Sequence, residues 1–276
     1  MLIEFWQQQL AWDGEDITGK FLKNEQARAI VVAKSNGILA GREECEFFAE
    51  HEGFSLVFAK NDGEEVQKGE KILELFGSLH TLLRVERVLL NFLSRLSGIA
   101  TMTIAAKAKM NNPDVLLCPT RKTLWGAIDK KGVVVGGGGT HRLGLFDAIL
   151  LKENHLLSAG GVGGALKQVS SKAKNSFPAF WEIEVETEAE AYAAFSALPP
   201  QRPGGIMFDN FSPSAITHLL LSPEARAAKE SGIFFEASGG ITLDTIAEYA
   251  QTGVSALSCG LLTNAVTPVD YSMRIQ

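Results

Sequence analysis

The sequence has only three cysteines, Cys45, Cys118 and Cys259, spread widely along 276 residues. An odd number at such spacing builds no disulfide framework and fits reduced thiols in a cytoplasmic protein. Cys118 and Cys259 sit in apolar runs, where a thiol acts as a small buried hydrophobe. No CxxC or HExxH spacing marks a dedicated zinc site. Positive charge is also short: 26 Lys and Arg face 32 Asp and Glu, a formal net charge of −6. That balance excludes the broad basic surface of a nonspecific nucleic-acid binder, while leaving room for a local positive pocket. No apolar run approaches the roughly 18 residues of a membrane span. The opening residues, MLIEFWQQQLAWDGED, carry acids and lack the basic start of a signal peptide. A soluble, cytoplasmic chain with neither nucleic-acid nor membrane partner is expected. What is present in quantity is ordinary core material, 46% hydrophobic against 21% charged. At about 150 residues per domain, the length suggests one large domain or two.

Against this background the stretch VVVGGGGTHRLG, Val133 to Gly144, stands out. A dinucleotide fingerprint fails on spacing, because its third glycine falls on His141 counting from Gly136 and on Arg142 counting from Gly137. A P-loop fails because Leu145, not lysine, follows Gly144. Bare backbone N–H groups beside two cationic side chains suit an anion. A flexible turn with an exposed basic pair fits the same letters.

From Ala27 to Gly77 the chain reads as short alternating segments, ARAIVVAKSNGILAG, FSLVFAKNDGEEV and KGEKILELFG, punctuated at Asn36-Gly37, Asp62-Gly63 and Gly69. This is the pattern of small β-structure with tight turns. A long helix is then predicted over residues 79–110. Leu82, Val85, Leu89, Leu93 and Leu96 mark its apolar side, and Arg84, Arg87, Asn91 and Arg95 share a polar face. Past Pro113, short apolar runs recur, each ending in polar residues or glycine: VLLCPTRKT, AILLKENH, FWEIEVET, GIMFDNFS, IFFEASGG and ALSCG. Their ends are placed at Thr120, Lys152, Glu186, Asp209, Ala237 and Cys259. Helix signals lie between them. Thr187 with Glu190 makes a capping box, Ser212-Pro213 opens a helix, and Gly253 stops one. Buried strands alternating with helices imply right-handed βα units around a parallel sheet. An α/β barrel fits best, with chemistry at the carboxyl ends of its strands. An open doubly wound sheet is the alternative.

Those strand ends carry Arg121, Lys122, His141, Arg142 and Lys152, then the acids Glu184, Glu186 and Asp209, then Ser238-Gly239-Gly240 and Gly260. In a barrel they converge on one mouth. So many cations held together call for an anionic ligand, and arginine forks suit carboxylate or phosphate. The glycines let backbone N–H groups approach phosphate oxygens. Glu184 shares its strand face with Glu182 and Glu186, an unusual row of acids on a buried strand, and at least one is expected to meet hydroxyls or a metal-bound substrate. The four glycines are expected to let the chain swing so that His141-Arg142 reaches the mouth.

The segments ERVLLNFLSRLSGIAT, TRKT, GGGGTHRLGLFDAILLKENH, EIEVET, FDNFSP, EASGGI and TGVSALSCGLLT together resemble the quinolinate phosphoribosyltransferase family, from about Ala27 to the C-terminus. The resemblance implies an α/β fold with an N-terminal α/β sandwich (residues 1–110 with the tail 265–276) and an incomplete α/β barrel (111–264). It implies transfer of phosphoribosyl from phosphoribosyl pyrophosphate to quinolinate, with Mg²⁺ and loss of CO₂, giving nicotinate mononucleotide in NAD synthesis. Arg121, His141, Arg142 and Lys152 would grip the quinolinate carboxylates, with Lys122 beside the reacting groups and Lys122 and Lys152 the catalytic pair. Glu184 and Asp209 would face ribose hydroxyls and Mg²⁺. Ser238, Gly239, Gly240 and Gly260 would cradle phosphate. Arg87 would serve the neighbouring site of a homodimer or higher homo-oligomer. The sequence departs from the family pattern in a shortened segment around Trp125, in Thr140 before His141, and in Asn264. A related transferase with another aromatic carboxylate as acceptor, as in molybdenum-operon relatives, and a non-catalytic anion-binding homologue are the competing readings.

Overall fold

The computed structural model describes residues 2–172, 180–197 and 204–276, and the chain forms two compact units. The first comprises the residues through Ile104, then Ile128–Gly137 and Val266–Gln276. It runs through α1 (Leu2–Asp13), β1 (Gln26–Ala33), β2 (Gly37–Ile38), α2 (Arg42–Glu52), β3 (Ser55–Ala59), β4 (Glu65–Val66) and β5 (Lys71–Ser78). The alternation of β1 buries Ala27, Ala29, Val31 and Ala33 on one face. β1 sits between β5 and the C-terminal strand β12 (Tyr271–Ile275), and β3 completes an antiparallel four-stranded sheet. α2 begins after Gly41, carries Glu43 and Glu44 where the helix dipole favours acids, and ends on left-handed Gly53. Neither α1 nor α2 was expected from the sequence. Both are short amphipathic pieces whose stability comes from packing: Trp6 of α1 stacks on Phe48 of α2 at 3.8 Å.

The long helix α3 (Leu79–Met110) matches its expected span, with Leu82, Val85, Leu89, Leu93 and Leu96 all buried. By length and composition α3 could cross a membrane, but most of its apolar window is buried inside the protein, as in a core helix. The row of polar residues on α3 does not act as one set. Arg84 and Arg87 are exposed, whereas Arg95 forms a two-pronged pair with Asp129, both contacts at 2.6 Å. Asp129 belongs to α4 (Ala127–Val135). Gly132 and Gly136, on one face of that segment, let it lie close against α3. A Cβ at either would come within 2.8 Å of a carbonyl oxygen, of Leu96 or Ala100. The first glycine of the run thus serves close helix packing. Gly137, with φ 78°, stops the helix.

The second unit, Ala105–Ala127 and Gly138–Ala265, holds six parallel strands. They are β6 (Leu116–Pro119), β7 (Ile149–Leu151), β8 (Trp181–Val185), β9 (Gly204–Asp209), β10 (Ile233–Ser238) and β11 (Ala256–Cys259). Their ends fall within one residue of the expected positions. The sheet order is β6-β11-β10-β9-β8-β7. The last strand in sequence pairs with the first, so the sheet curls round as a barrel, and among the described residues only the β6–β7 pairing is missing. This excludes the open doubly wound sheet. Between the strands lie α5 (Glu153–Ala159), α6 (Val162–Lys172), α7 (Glu188–Ala197), α8 (Pro213–Leu220), α9 (Pro223–Glu230), α10 (Ile246–Ala250) and α11 (Leu261–Asn264). The expected caps are formed. Thr187 Oγ accepts from Glu190 N while Thr187 N donates to the Glu190 carboxylate, and Ser212 Oγ accepts from Ala215 N. β9 opens with Gly204-Gly205 because the Trp181 and Phe234 rings lie where side chains would be, 2.1 and 2.3 Å from a built Cβ.

Candidate active site

The carboxyl ends of the strands surround a cavity of about 280 Å³. Arg121, Lys122, His141, Arg142 and Lys152 supply its basic lining, Glu184 and Asp209 its acids, and Ser238 and Ser258 its hydroxyls. Eight of the residues singled out in the sequence therefore meet at one mouth in the second unit. Leu150, Met207, Pro119 and Thr120 complete the lining.

Local structure explains how each is held. After β6, Thr120 Oγ accepts from Lys122 N at 3.1 Å, and the Lys122 carbonyl accepts from the buried Thr263 hydroxyl of α11 at 3.0 Å. This turn presents Arg121 and Lys122 at the mouth. Gly139 lets the chain pass close beside β6, where a Cβ would come 2.9 Å from Cys118 Sγ. His141 then adopts left-handed φ 49°, uncommon for a side-chain-bearing residue. Beyond Arg142, Asp147 closes the loop by accepting from Leu143 N and Gly144 N at 2.6 and 3.1 Å. Lys152 follows β7 and donates to Glu184 Oε2 at 2.5 Å.

The glycines of β10's end have distinct geometry. Gly239 and Gly240 are both left-handed, at φ 85° and 62°; a Cβ on Gly239 would strike Asn210, whereas Gly240 faces open space. Gly260 precedes α11. Neither these three glycines nor Arg87, exposed on α3 in the first unit, line the cavity itself.

Of the three acids expected along one face of β8, each has a different setting. Glu186 lies just past the strand and is exposed, and its carboxyl is raised by desolvation and by Glu153, Asp209 and Glu184 around it. Its oxygen lies with those of Glu184 and Asp209 in a cluster spanning less than 4.8 Å. Glu184 holds Lys152. Glu182 is wholly buried and meets His141, whose Nε2 lies 3.1 Å from Glu182 Oε2 and 3.3 Å from Glu236 Oε1. One Nε2–H serves one strong bond, which goes to Glu182; Glu236 is an electrostatic neighbour with Oε1 otherwise unbonded.

Burial opposes charge on His141, and the two carboxylates favour it and draw its pKa up. The Arg142 N–H donated to Nδ1 at 2.8 Å acts the other way, since Nδ1 must be bare to accept it. With Nδ1 accepting, the ring is the neutral tautomer whose single proton sits on Nε2, where the carboxylates hold it. Glu182 is raised to about 7 by burial and by Glu236 beside it. Arg142 is buried, and its pKa is lowered by that burial and by repulsion from Arg121. Sequence reasoning missed Glu236. Its only signal was an acid two residues before Ser238 on an otherwise apolar strand, hence on the same face.

These features define a class: an α/β-barrel protein with a basic, acid-edged cavity at the carboxyl ends of its parallel strands. The chain belongs to the quinolinate phosphoribosyl transferase family, with residues 16–97 matching its N-terminal domain and 99–274 its C-terminal domain. It is 39% identical over 271 residues to a probable nicotinate-nucleotide pyrophosphorylase [carboxylating] of Bacillus subtilis, covering 94% of this chain and 88% of that one. It is 36% identical to quinolinate phosphoribosyltransferase [decarboxylating] 1b of Nicotiana tabacum, over 91% of this chain and 74% of that one. Among solved structures, NadC from Streptococcus pyogenes superposes with a TM-score of 0.85 at 31% identity, covering 100% of this chain and 96% of that one. The nicotinate-nucleotide pyrophosphorylase from Francisella tularensis gives 0.84 at 30% identity, covering 100% and 96%.

Proposed function

We propose that the chain transfers the phosphoribosyl group of phosphoribosyl pyrophosphate to the ring nitrogen of quinolinate, with loss of CO₂. The products are nicotinate mononucleotide and pyrophosphate, for NAD synthesis. One observation carries this reading: Arg121, Arg142 and Lys152 line a single cavity that also holds Glu184 and Asp209. Both substrates are polyanions, so binding neutralises a cationic cluster that repels itself when empty. The arginine forks hold the two ring carboxylates, and Lys122 and Lys152 stand beside the reacting groups.

The acids serve the other half of the reaction. Bond breaking at the sugar develops positive charge, which Glu184 and Asp209 stabilise from the cavity edge while meeting the ribose hydroxyls. As the carboxylate leaves, its electron pair stays on a ring carbon next to the newly cationic nitrogen, so the substrate supplies much of its own stabilisation. Ser238, Gly239, Gly240 and Gly260 offer backbone N–H groups to phosphate oxygens.

The oxygen donors of Glu184, Glu186 and Asp209, gathered within 4.8 Å, fit a hard divalent cation such as Mg²⁺. When bound, the ion would neutralise pyrophosphate charge. In a homodimer, Arg87 would serve the neighbouring subunit's site, and the protein would work in the cytoplasm. The names of the curated relatives support quinolinate as acceptor over another aromatic carboxylate.

The test is turnover by purified protein. Quinolinate, phosphoribosyl pyrophosphate and Mg²⁺ should give nicotinate mononucleotide and CO₂ in equal amounts, and EDTA should stop the reaction. Folded protein that makes no product from quinolinate, or prefers another acid from a panel of aromatic carboxylates, would overturn the reading.

A further inference from the structure

His141 lies at the cavity, yet it has no ring nitrogen left to offer a ligand. Nε2 faces Glu182 at 3.1 Å and Glu236 at 3.3 Å, both wholly or almost wholly buried. Nδ1 accepts the Arg142 N–H at 2.8 Å. Phe180 packs against the imidazole in a T-shaped contact, with ring centroids 5.8 Å apart, and Phe234 packs on Phe180 in turn. Its side chain is only 9% exposed.

From this geometry we infer that His141 is a positioning residue and does not grip the substrate, and that Glu182 and Glu236 are the two further residues that make it one. The imidazole is a bracket. One end is fixed to carboxylates on the floor of the barrel, on β8 and β10, and the other holds the backbone of Arg142. A left-handed backbone is strained for a residue with a side chain and persists only where its surroundings over-determine it. Here the two engaged nitrogens hold His141 at φ 49°. The chain direction so imposed sends Arg142 into the cavity. Without the floor, Arg142 keeps its charge but loses its aim, and misplacement by an ångström weakens a fork more than a point contact. The row of acids on β8 is thereby divided: Glu184 works at the mouth, and Glu182 works behind it.

The inference rests on quinolinate being the substrate, and turnover by the wild-type protein checks that separately: no product there sinks the proposed function. Given turnover, kcat and the quinolinate KM are measured for Glu182→Ala, Glu182→Gln, His141→Ala and the Glu182→Ala/His141→Ala double variant. Glu182→Ala and His141→Ala should each raise KM about tenfold or more with kcat within threefold. The double variant should be no worse than the poorer single one, because both changes break one network. Glu182→Gln, which keeps an accepting oxygen and the shape, should recover KM to within threefold of wild type. A tenfold KM increase in His141→Ala with Glu182→Ala unchanged, or effects that multiply in the double variant, would mean that His141 touches substrate directly. If Glu182→Ala fails to fold by circular dichroism, the Glu182→Gln/Glu236→Gln variant decides: KM within threefold supports the bracket, and a tenfold rise overturns it.

Discussion

Arg142→Met separates binding from stability in a single substitution. Arg142 is 7% exposed, and its pKa is lowered first by burial and then by Arg121. A base whose folded pKa is depressed is disfavoured in its charged form by folding, so at neutral pH the charge opposes stability. Methionine keeps most of the buried volume and removes the charge, together with its attraction to Glu182, Asp147 and Glu184. Because the net effect on the pKa is a lowering, these losses and gains largely offset, and the ligand-free variant should unfold within a few degrees of its parent. Binding, in contrast, should fall. Losing the charge-assisted bonds of one guanidinium costs about 2–4 kcal/mol, or roughly 30- to 1,000-fold in Kd. Thermal melts with quinolinate show both effects. At a ligand concentration one hundred times the parent's Kd, linkage stabilises the parent by about 2.7 kcal/mol, and a variant binding 100-fold more weakly by only about 0.4 kcal/mol. Calorimetric titration gives the two constants directly. A variant that melts several degrees lower when empty, yet binds quinolinate as tightly as its parent, would refute the reasoning.

Asp129→Ala should cost about 3–5 kcal/mol in a urea or thermal melt, because it removes the carboxylate from a two-pronged, largely buried pair with Arg95; a loss under about 1 kcal/mol would mean that the pair is idle. Gly239→Ala should raise the KM for phosphoribosyl pyrophosphate at least tenfold while leaving that for quinolinate within threefold, since φ 85° and the Asn210 side chain leave no room for a methyl group; equal changes in both constants would refute a phosphate role. Cys45 and Cys259 are buried with raised thiol pKa values, Cys259 up to about 12 through burial first, so a thiol-reactive chromophore at pH 8 should label them only after denaturant is added.

The sequence showed the barrel more clearly than the first unit because barrel strands are buried on both faces and read as unbroken apolar runs. Each ends where water and polar chemistry begin, and the expected ends of β6 to β11 lay within one residue of those observed. The short helices α1, α2 and α4 left no such mark. α4 ends in the letters VVV just before the glycine run, whose first member, Gly136, reads as a loop but serves contact with α3. Residues whose role depends on a distant partner were the least legible. Arg95 looked like a neighbour of Arg87 and is instead tied to Asp129. Glu236 looked like part of a strand, and only its approach to His141 from across the sheet gives it meaning.

The missing pairing between β6 and β7 concerns how the molecule tolerates change. Five hydrogen-bonded seams fix the register of the strand ends around the cavity, while the sixth is left unsealed. The chain that crosses that seam carries Arg121, Lys122, His141 and Arg142, so this part of the mouth is placed by turns and packing contacts and not by a ladder. Trp125 also lies within that crossing, between Pro119 and Ile149. One wall of the mouth can thus be re-aimed by single side chains and turns while the five paired seams hold the rest in register.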